Sequence, residues 1–366
     1  MKKTLLATAI AGAAALAATS ASAATVYNQD GTKLDIYGNV QLAYSYVDKL
    51  GGDPDSDLGD NGSTFGAKGE HKINDDIVGY FKAEWEYDAD EAKGSGGLDT
   101  GDQAYVGAKG SFGDARIGSW DPLIDDWIQD PITNNEFFDL SDSGTALAAG
   151  DDDSTLREGD KLQYMSPTMG GLQFAVGANF NGEGSYTDND DDTVDGTVVG
   201  ERDATDSGNI SGSDQTSFFA GAKYTVGGFS VAAVYDNLDQ YEGNSVDGDD
   251  VGDQYGLTAQ YTVDALRVAV KAERFAGEED DTDVDFYALG ARYGYGMGDV
   301  YGAYQYVDAE DQSNYATKYG DDSFNEFNLG VTYNISSAMY TYVEYRQLDR
   351  AGDAGDGAAV GIYYGF

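Results

Sequence analysis

An alternation of apolar and polar residues is the feature of this sequence that most limits how the chain can fold. Between residues 34 and 46 the even-numbered side chains are apolar or aromatic except at Gly38, and most of the odd-numbered ones are polar. The same period of two recurs at residues 254–263 and 266–271. Successive side chains of a strand point to opposite faces, so this period predicts β-strands with one apolar and one hydrated face. Soluble β-sandwiches and membrane β-barrels both contain such strands.

The strand lengths and the connections favour a membrane barrel. Short turns, such as Gly227-Gly228 and Asp264-Ala265, alternate with long acidic loops at residues 48–63, 181–215, 238–253 and 308–325. Short turns on one rim and long loops on the other are typical of outer-membrane barrels. We predict an all-β fold, a 16-stranded antiparallel transmembrane β-barrel, with strands at residues 33–47, 64–72, 78–87, 102–109, 115–120, 161–165, 172–180, 216–226, 229–236, 254–263, 266–275, 284–295, 300–307, 326–334, 338–347 and 358–366.

The first 23 residues form a predicted signal peptide. Lys2 and Lys3 precede an apolar run at residues 5–18, and Ala21-Ser22-Ala23 has the small-x-small pattern of a cleavage site. The run is shorter than the roughly 20 residues that a membrane-spanning helix needs. We therefore expect cleavage after Ala23 and a single barrel domain at residues 24–366.

Composition excludes several functions. Asp and Glu number 66 against 21 Lys and Arg, so the formal net charge is −45. A nucleic-acid-binding protein needs clustered cations, and this chain offers none. The chain has no cysteine, its one histidine is His71, and it lacks a Gly-x-Ser-x-Gly elbow. These absences argue against thiol chemistry, a zinc site and an outer-membrane hydrolase. We expect neither an enzyme nor a cofactor.

Several segments resemble the general diffusion porins of Gram-negative outer membranes. They are residues 26–31 (VYNQDG), 34–38 (LDIYG), 68–70 (KGE) and the closing 361–366 (GIYYGF). The resemblance implies a passive, water-filled channel of the cell outer membrane for small hydrophilic solutes and ions. It also implies a homotrimer, a third long loop folded into the lumen, and a role for Phe366 in the signal read by the barrel assembly machinery.

The third long loop is predicted to form the pore constriction. It runs from Trp120 to about Asp160, and residues 135–139 look like a degraded form of the family's acidic tip motif. Its candidate constriction acids are Asp121, Asp125, Asp126, Asp130, Glu136, Asp139 and Asp142. Because a narrow pore concentrates counterions of its fixed charges, these acids predict cation selectivity.

The basic side chains that the family places opposite this loop are reduced here. By this resemblance the matching positions are Asn39, Thr64 and Asp102, and only Arg157 is retained. Other candidate lumen cations are Lys161, Lys68, Lys82, Arg267 and Lys271. We therefore expect a transverse field that is weaker and more one-sided than in the usual family member.

Alternative functions remain open at this point. The barrel could act mainly as a surface receptor or adhesin, or as a substrate-specific porin, and a sugar-specific porin would need aromatic residues along the pore. The acidic clusters at residues 188–192 and 247–253 lack the ligand spacing of a Ca²⁺ loop, which favours solvated loops. Divalent ions that bridge such loops to lipopolysaccharide phosphates are a further hypothesis.

Overall fold

The computed structural model describes residues 23–92, 97–98, 101–132, 135–147, 159–180, 216–238, 252–278, 280–313, 315–316 and 322–366. Nearly all of the predicted signal peptide, Arg157, the cluster at 188–192 and most of the cluster at 247–253 lie outside these residues.

The described residues form 18 β-segments. The strands are β1 Ala24–Gln29, β2 Thr32–Val47, β3 Asp55–Asp60, β4 Thr64–Lys72, β5 Val78–Glu86, β6 Ala104–Gly110, β7 Gly113–Ser119, β8 Lys161–Met165, β9 Leu172–Phe180, β10 Thr216–Val226, β11 Phe229–Asn237, β12 Gly252–Val263, β13 Leu266–Gly277, β14 Val284–Gly294, β15 Asp299–Ala309, β16 Ser323–Asn334, β17 Met339–Leu348 and β18 Gly357–Gly365.

These 18 segments form one closed antiparallel barrel of sixteen strands. Each strand pairs with its sequence neighbour, and the ring closes where β18 pairs with β2. Two pairs of segments act as single barrel strands. On one side of β2, β3 pairs with its second half and β4 with its first half. On the other side, β18 pairs with the second half and β1 with the first. The predicted fold class is therefore confirmed.

The alternation separates the two faces as predicted. On β16, the side chains of Phe327 and Leu329 are 40% and 48% exposed, whereas those of Glu326 and Asn328 are 1% and 2% exposed. The apolar side chains point out of the barrel, and the polar ones point into it. An outward apolar band around a polar interior is the arrangement that lets a barrel sit in lipid.

The connections follow the predicted asymmetry, with one correction. β10 and β11 are joined by Gly227-Gly228, where Gly227 has φ +59°, a left-handed conformation that glycine adopts without strain. The loop predicted at 48–63, however, contains β3. The β3 sequence, DSDLGD, is mostly hydrophilic, so apolar alternation could not identify it, but its backbone pairs with the end of β2. Among the described residues, no helix is both long and apolar enough to cross a membrane.

Candidate pore constriction

The loop between β7 and β8 lies against the inner face of the barrel. It contains a π-helical segment, Asp125–Gln129, and a short helix, α1, Ser143–Leu147. Apolar side chains of the loop fill three clusters with inward-facing residues of the wall. The first joins Leu123, Ile124, Trp127 and Ile128 to Ala175, Phe219, Ala232 and Val234, the second joins Ile132 and Leu140 to Ala269, Ala288 and Ala303, and the third joins Ala146 to Phe275, Val284 and Phe286. We call the inner faces of β9–β17 the covered wall.

Glycines on the covered wall allow the loop to approach the backbone closely. A Cβ atom at Gly221 would lie 2.9 Å from Leu123 Cδ2, and one at Gly256 would lie 2.6 Å from Ile128 Cγ1. At Gly290 the Cβ would lie 2.8 Å from the carbonyl oxygen of Ile132. Since real Cβ atoms do not pack this tightly, larger residues would push the loop toward the lumen.

The loop tip is held by one buried carboxylate, that of Glu344 on β17. It accepts hydrogen bonds from three successive backbone N–H groups, those of Glu136 at 2.5 Å, Phe137 at 2.9 Å and Phe138 at 2.8 Å. The hydroxyl of Tyr301 donates a fourth bond to it at 2.5 Å. A buried charge is tolerated when it is hydrogen-bonded in this way. Glu344 therefore fixes the position of the tip.

Two further wall carboxylates hold the middle of the loop. Glu326 on β16 accepts hydrogen bonds from the N–H of Ser141 at 2.9 Å and from its hydroxyl at 2.5 Å, and it pairs with Arg350 at 2.8 Å. Glu273 on β13 accepts the N–H of Ser143 at 3.0 Å and the side-chain amide of Gln129 at 2.6 Å. None of these three glutamates was predicted from the sequence as a site residue. Alternation places them inside the barrel but gives no sign that a distant loop binds them.

The predicted constriction acids fall into two groups. Three of them, Asp126, Asp130 and Asp139, are exposed on the side of the loop that faces away from the wall. The others, Asp121, Asp125, Glu136 and Asp142, are half-buried. The loop therefore packs its apolar side on the wall and presents carboxylates to the lumen.

Three of the half-buried acids have specific partners. Asp121 accepts a hydrogen bond from the Gln103 side chain at 2.7 Å. Glu136 pairs with Arg292 at 3.2 Å and accepts the Tyr340 hydroxyl at 2.6 Å. Asp142 accepts the N–H of Thr145 at 2.7 Å at the start of α1. The charge of Glu136 is therefore partly neutralised by an ion pair, and the carboxylates of Asp121 and Asp142 accept hydrogen bonds within the structure.

Two of the lumen-facing acids have strongly altered pKa values. Protein surrounds them inside the barrel and limits hydration of their carboxylates, which raises the pKa of Asp130 to about 7 and that of Asp139 to about 6. Nearby carboxylates add to both shifts, chiefly Asp126 beside Asp130 and Asp142 beside Asp139. Their negative charge therefore depends on pH near neutrality.

Lys68 and Lys82 lie on the wall that the loop leaves uncovered. We call the inner faces of β2, β4, β5 and β6 the open wall. Lys68 is exposed, and Lys82 is half-buried, where it pairs with Glu84 at 2.7 Å. On this same wall, the Asn39 amide donates to the Thr64 hydroxyl at 2.7 Å. These two positions of the family's basic ladder are therefore a neutral pair.

Two predicted lumen cations are corrected by the structure. Lys161 points inward as alternation predicts, but its side chain is 1% exposed and donates to the Trp120 carbonyl at the start of the loop. Lys271 is buried under the loop and pairs with Glu273 at 2.7 Å. Both lysines therefore lie behind the loop and not at the water-filled passage. Arg267, in contrast, is half-buried on the inner face of β13.

Several inward side chains were not predicted from the sequence as pore-lining residues. The Arg116 guanidinium stacks 4.3 Å from the centre of a Trp120 ring, and Arg292 pairs with Asp299 at 3.3 Å besides Glu136. Inward tyrosines also line the lumen, and they are Tyr37, Tyr80, Tyr105, Tyr340 and Tyr363. Strict alternation within each strand was the signal that could have identified them.

The last residue closes the ring next to the first strand. The Phe366 N–H donates to the Gly38 carbonyl at 2.9 Å, and the Gly38 N–H donates back at 3.1 Å. The Phe366 side chain is exposed on the outer, apolar face. Its position fits the outward alternation that the sequence predicts for β18.

Metal and catalytic chemistry have little support in the part of the chain that is described. No group of three or more potential ligand side chains could hold a metal ion there. Nδ1 of His71 lies 2.7 Å from the Thr32 hydroxyl, near a short turn and away from the constriction.

Known proteins share both the sequence and the fold. The sequence profile described as Gram-negative porin matches residues 7–353. A monosaccharide porin from Halomonas sp. and the major outer membrane protein of Halomonas elongata are each 50% identical to this chain, and the whole of both chains is covered. The structure of an anion-selective porin from Comamonas acidovorans has a TM-score of 0.69 at 20% identity, covering 92% of this chain and 100% of that one. The closed barrel, the inward loop and these similarities lead to one conclusion: the chain belongs to the Gram-negative porin family, whose members are outer-membrane channels and not enzymes.

Proposed function

We propose that this porin is a passive, water-filled channel that favours cations and lets small hydrophilic solutes pass, monosaccharides among them. The observation that carries the proposal is the charge of the inward loop. Its described residues, 120–132 and 135–147, include seven carboxylates and no Lys or Arg, and the three exposed ones, Asp126, Asp130 and Asp139, form no ion pair with any described residue. Unpaired carboxylates in a narrow pore raise the local cation concentration.

Passage of monosaccharides is supported by the name of a relative and by the lining of the lumen. The monosaccharide porin of Halomonas sp. is 50% identical to this chain over its whole length. The lumen also carries half-buried tyrosines, including Tyr340 and Tyr363, whose rings stack with centroids 4.8 Å apart. Such rings offer an apolar face and a hydroxyl group to a sugar. We infer a pore that admits neutral sugars as well as ions.

Maturation and assembly complete the proposal. Ala24 pairs with Ile36, and Phe366 pairs with Gly38, on the same edge of β2. We propose that residues 1–23 are removed as a signal peptide, as the basic residues, apolar run and small-x-small pattern of this segment indicate. We further propose that Phe366 contributes to recognition by the barrel assembly machinery, that the barrel forms a homotrimer, and that acidic loops contact lipopolysaccharide through divalent cations.

Two measurements on the purified protein test the proposed function. In planar bilayers, the zero-current potential across a KCl gradient should have the sign of cation preference. In liposomes, swelling should show that D-glucose enters. An anion-directed potential would overturn the selectivity, and absence of any conductance would favour the receptor alternative over a channel.

A further inference from the structure

We propose that Tyr37 and the polar side chains around it form a binding subsite for a neutral monosaccharide within the pore. This inference rests on the proposed function, because it supposes that sugars enter the lumen. It goes further by assigning recognition to one place on the open wall.

The Tyr37 ring lies along the open wall as a platform. Tyr37 points inward from β2 and is paired with Gly66 of β4. A Cβ atom at Gly66 would lie 2.6 Å from Cζ and 2.7 Å from the hydroxyl oxygen of Tyr37. The ring therefore crosses the space that a side chain at position 66 would occupy, toward Glu84, which is the partner of Gly66 on β5. This placement directs a ring face to the lumen.

Hydrogen-bonding groups surround this ring. The Lys68 ammonium lies 5.1 Å from the ring centre, and the Lys82 ammonium lies 6.0 Å from it. Lys82 donates to Glu84 at 2.7 Å and to the side-chain oxygen of Gln103 at 2.9 Å. Donors and acceptors therefore alternate beside the platform. A sugar presents the same alternation in its hydroxyl groups, each of which both donates and accepts.

The side chains of this subsite carry both signs of charge. Lys82 pairs with Glu84 at 2.7 Å, and Lys68 lies opposite Asp35 in the pairing of β2 with β4, so no single sign dominates at the ring. Pockets with an apolar or aromatic surface and a few well-placed polar groups are suited to small neutral ligands. Lys68 is exposed and contacts the ring through a cation–π interaction, which is weak at an exposed site, so its ammonium can donate to a hydroxyl group of the ligand.

The subsite also touches the constriction. The side-chain amide of Gln103 donates to Asp121 at 2.7 Å, and Asp121 belongs to the start of the inward loop. A solute that passes between the loop and the open wall therefore meets the platform at the point where wall and loop are connected. We infer that sugar dwells there briefly during passage and interrupts the ion current.

The experiment measures ion current through the full-length mature protein in planar bilayers while D-glucose is added. Sorbitol at equal viscosity is the reference, because it has similar hydroxyl groups but no ring. Glucose should lower the current saturably beyond the sorbitol effect. Tyr37→Leu should weaken the apparent glucose affinity roughly threefold to tenfold, the range expected for loss of an aromatic stacking contact, whereas Tyr37→Phe should retain it.

The control and the outcomes separate this inference from the proposed function. Tyr44→Leu removes a ring from the outer face of the same strand, β2, without changing the lumen, and it should leave the glucose affinity unchanged. Equal affinity in Tyr37→Leu and the unmodified protein, or equal losses in the Tyr37 and Tyr44 leucine variants, would overturn the subsite. Glucose entry into liposomes with no saturable block would also overturn it and leave the channel intact. No entry at all would reject sugar passage itself.

Discussion

The covered wall and the open wall of the lumen differ in the side chains that they present at the loop. Where the loop packs, the inward positions of β9–β15 include small residues such as Ala175, Gly256 and Ala288. The inward positions of the open wall include long or aromatic residues such as Tyr37, Lys68 and Lys82. The covered wall is therefore packed like the core of a soluble protein, and the open wall remains a hydrated surface.

This difference shows that one sequence pattern serves two purposes. On both walls, polar residues occupy the inward positions of strands whose sequence alternates between apolar and polar residues. Glu344, however, accepts hydrogen bonds from backbone N–H groups in a buried interface, whereas Glu70 pairs with Lys109 at a partly hydrated surface. An inward carboxylate therefore has an anchoring role on one side of the lumen and an electrostatic role on the other.

The largest effect should come from removing the anchor of the loop tip. Glu344→Ala leaves three N–H groups and a tyrosine hydroxyl without their acceptor. At 1–3 kcal/mol for each unsatisfied buried group, the free energy of unfolding should fall by roughly 3 kcal/mol or more. The freed tip should change single-channel conductance and broaden its distribution. Glu70→Ala on the open wall should cost about 0–1 kcal/mol, and equal losses for both variants would contradict the distinction between the walls.

A smaller loss of stability should follow from adding a side chain at Gly256, beneath the loop. Gly256→Ala places a methyl group against Ile128 and should cost about 1–3 kcal/mol through overpacking, with the π-helical segment moved toward the lumen. Gly59→Ala is the matched control, because its Cβ would meet only an Asp90 oxygen at 4.0 Å. Thermal unfolding in detergent and conductance in bilayers would measure both changes. Unchanged values for Gly256→Ala would mean that the loop packs less closely than described.

Selectivity should respond to the acids that face water. Replacing Asp126 and Asp130 with asparagine removes two unpaired carboxylates, so the K⁺/Cl⁻ permeability ratio should fall roughly twofold to fivefold. Replacing Glu136 and Asp139 by their amides should have a smaller effect, because Glu136 is already paired with Arg292. The zero-current potentials of both double variants and of the unmodified protein are compared in a KCl gradient. Replacing Asp247 and Asp249 by asparagine tests whether acids of the loop predicted at residues 238–253 dominate instead, and an equal shift there would show that they do.

The smallest effect concerns pH. Since the pKa of Asp130 is about 7 and that of Asp139 about 6, both carboxylates are charged above pH 8 and become neutral as the pH falls through these values. Cation preference should therefore decline between pH 8 and pH 5, well above the range of about 4 in which ordinary carboxylates titrate. Asp130→Asn together with Asp139→Asn should flatten this change. A decline of the same size in that double variant would assign the pH dependence to other groups.

The sequence predicted the barrel well because alternation is a local property of each strand. It missed β3, whose hydrophilic residues form a strand only because the end of β2 offers backbone partners. It placed Lys161 and Lys271 inside correctly but could not show that Trp120 and Glu273 engage them beneath the loop. Contacts between a loop and a wall that is distant in sequence leave no periodic signal. The roles of the loop-binding glutamates and of the Tyr37 ring are therefore seen only in the structure.

The pairing of both chain ends with β2 has a consequence for how the barrel folds. The first half of β2 pairs with β1, which directly precedes it, but the second half needs β18, more than 300 residues later in the sequence. Contacts of such sequence separation form slowly. Until residue 366 arrives, this edge of β2 exposes unpaired backbone groups, which are a template for aggregation. Ring closure is therefore the step that covers the last unpaired backbone groups of β2.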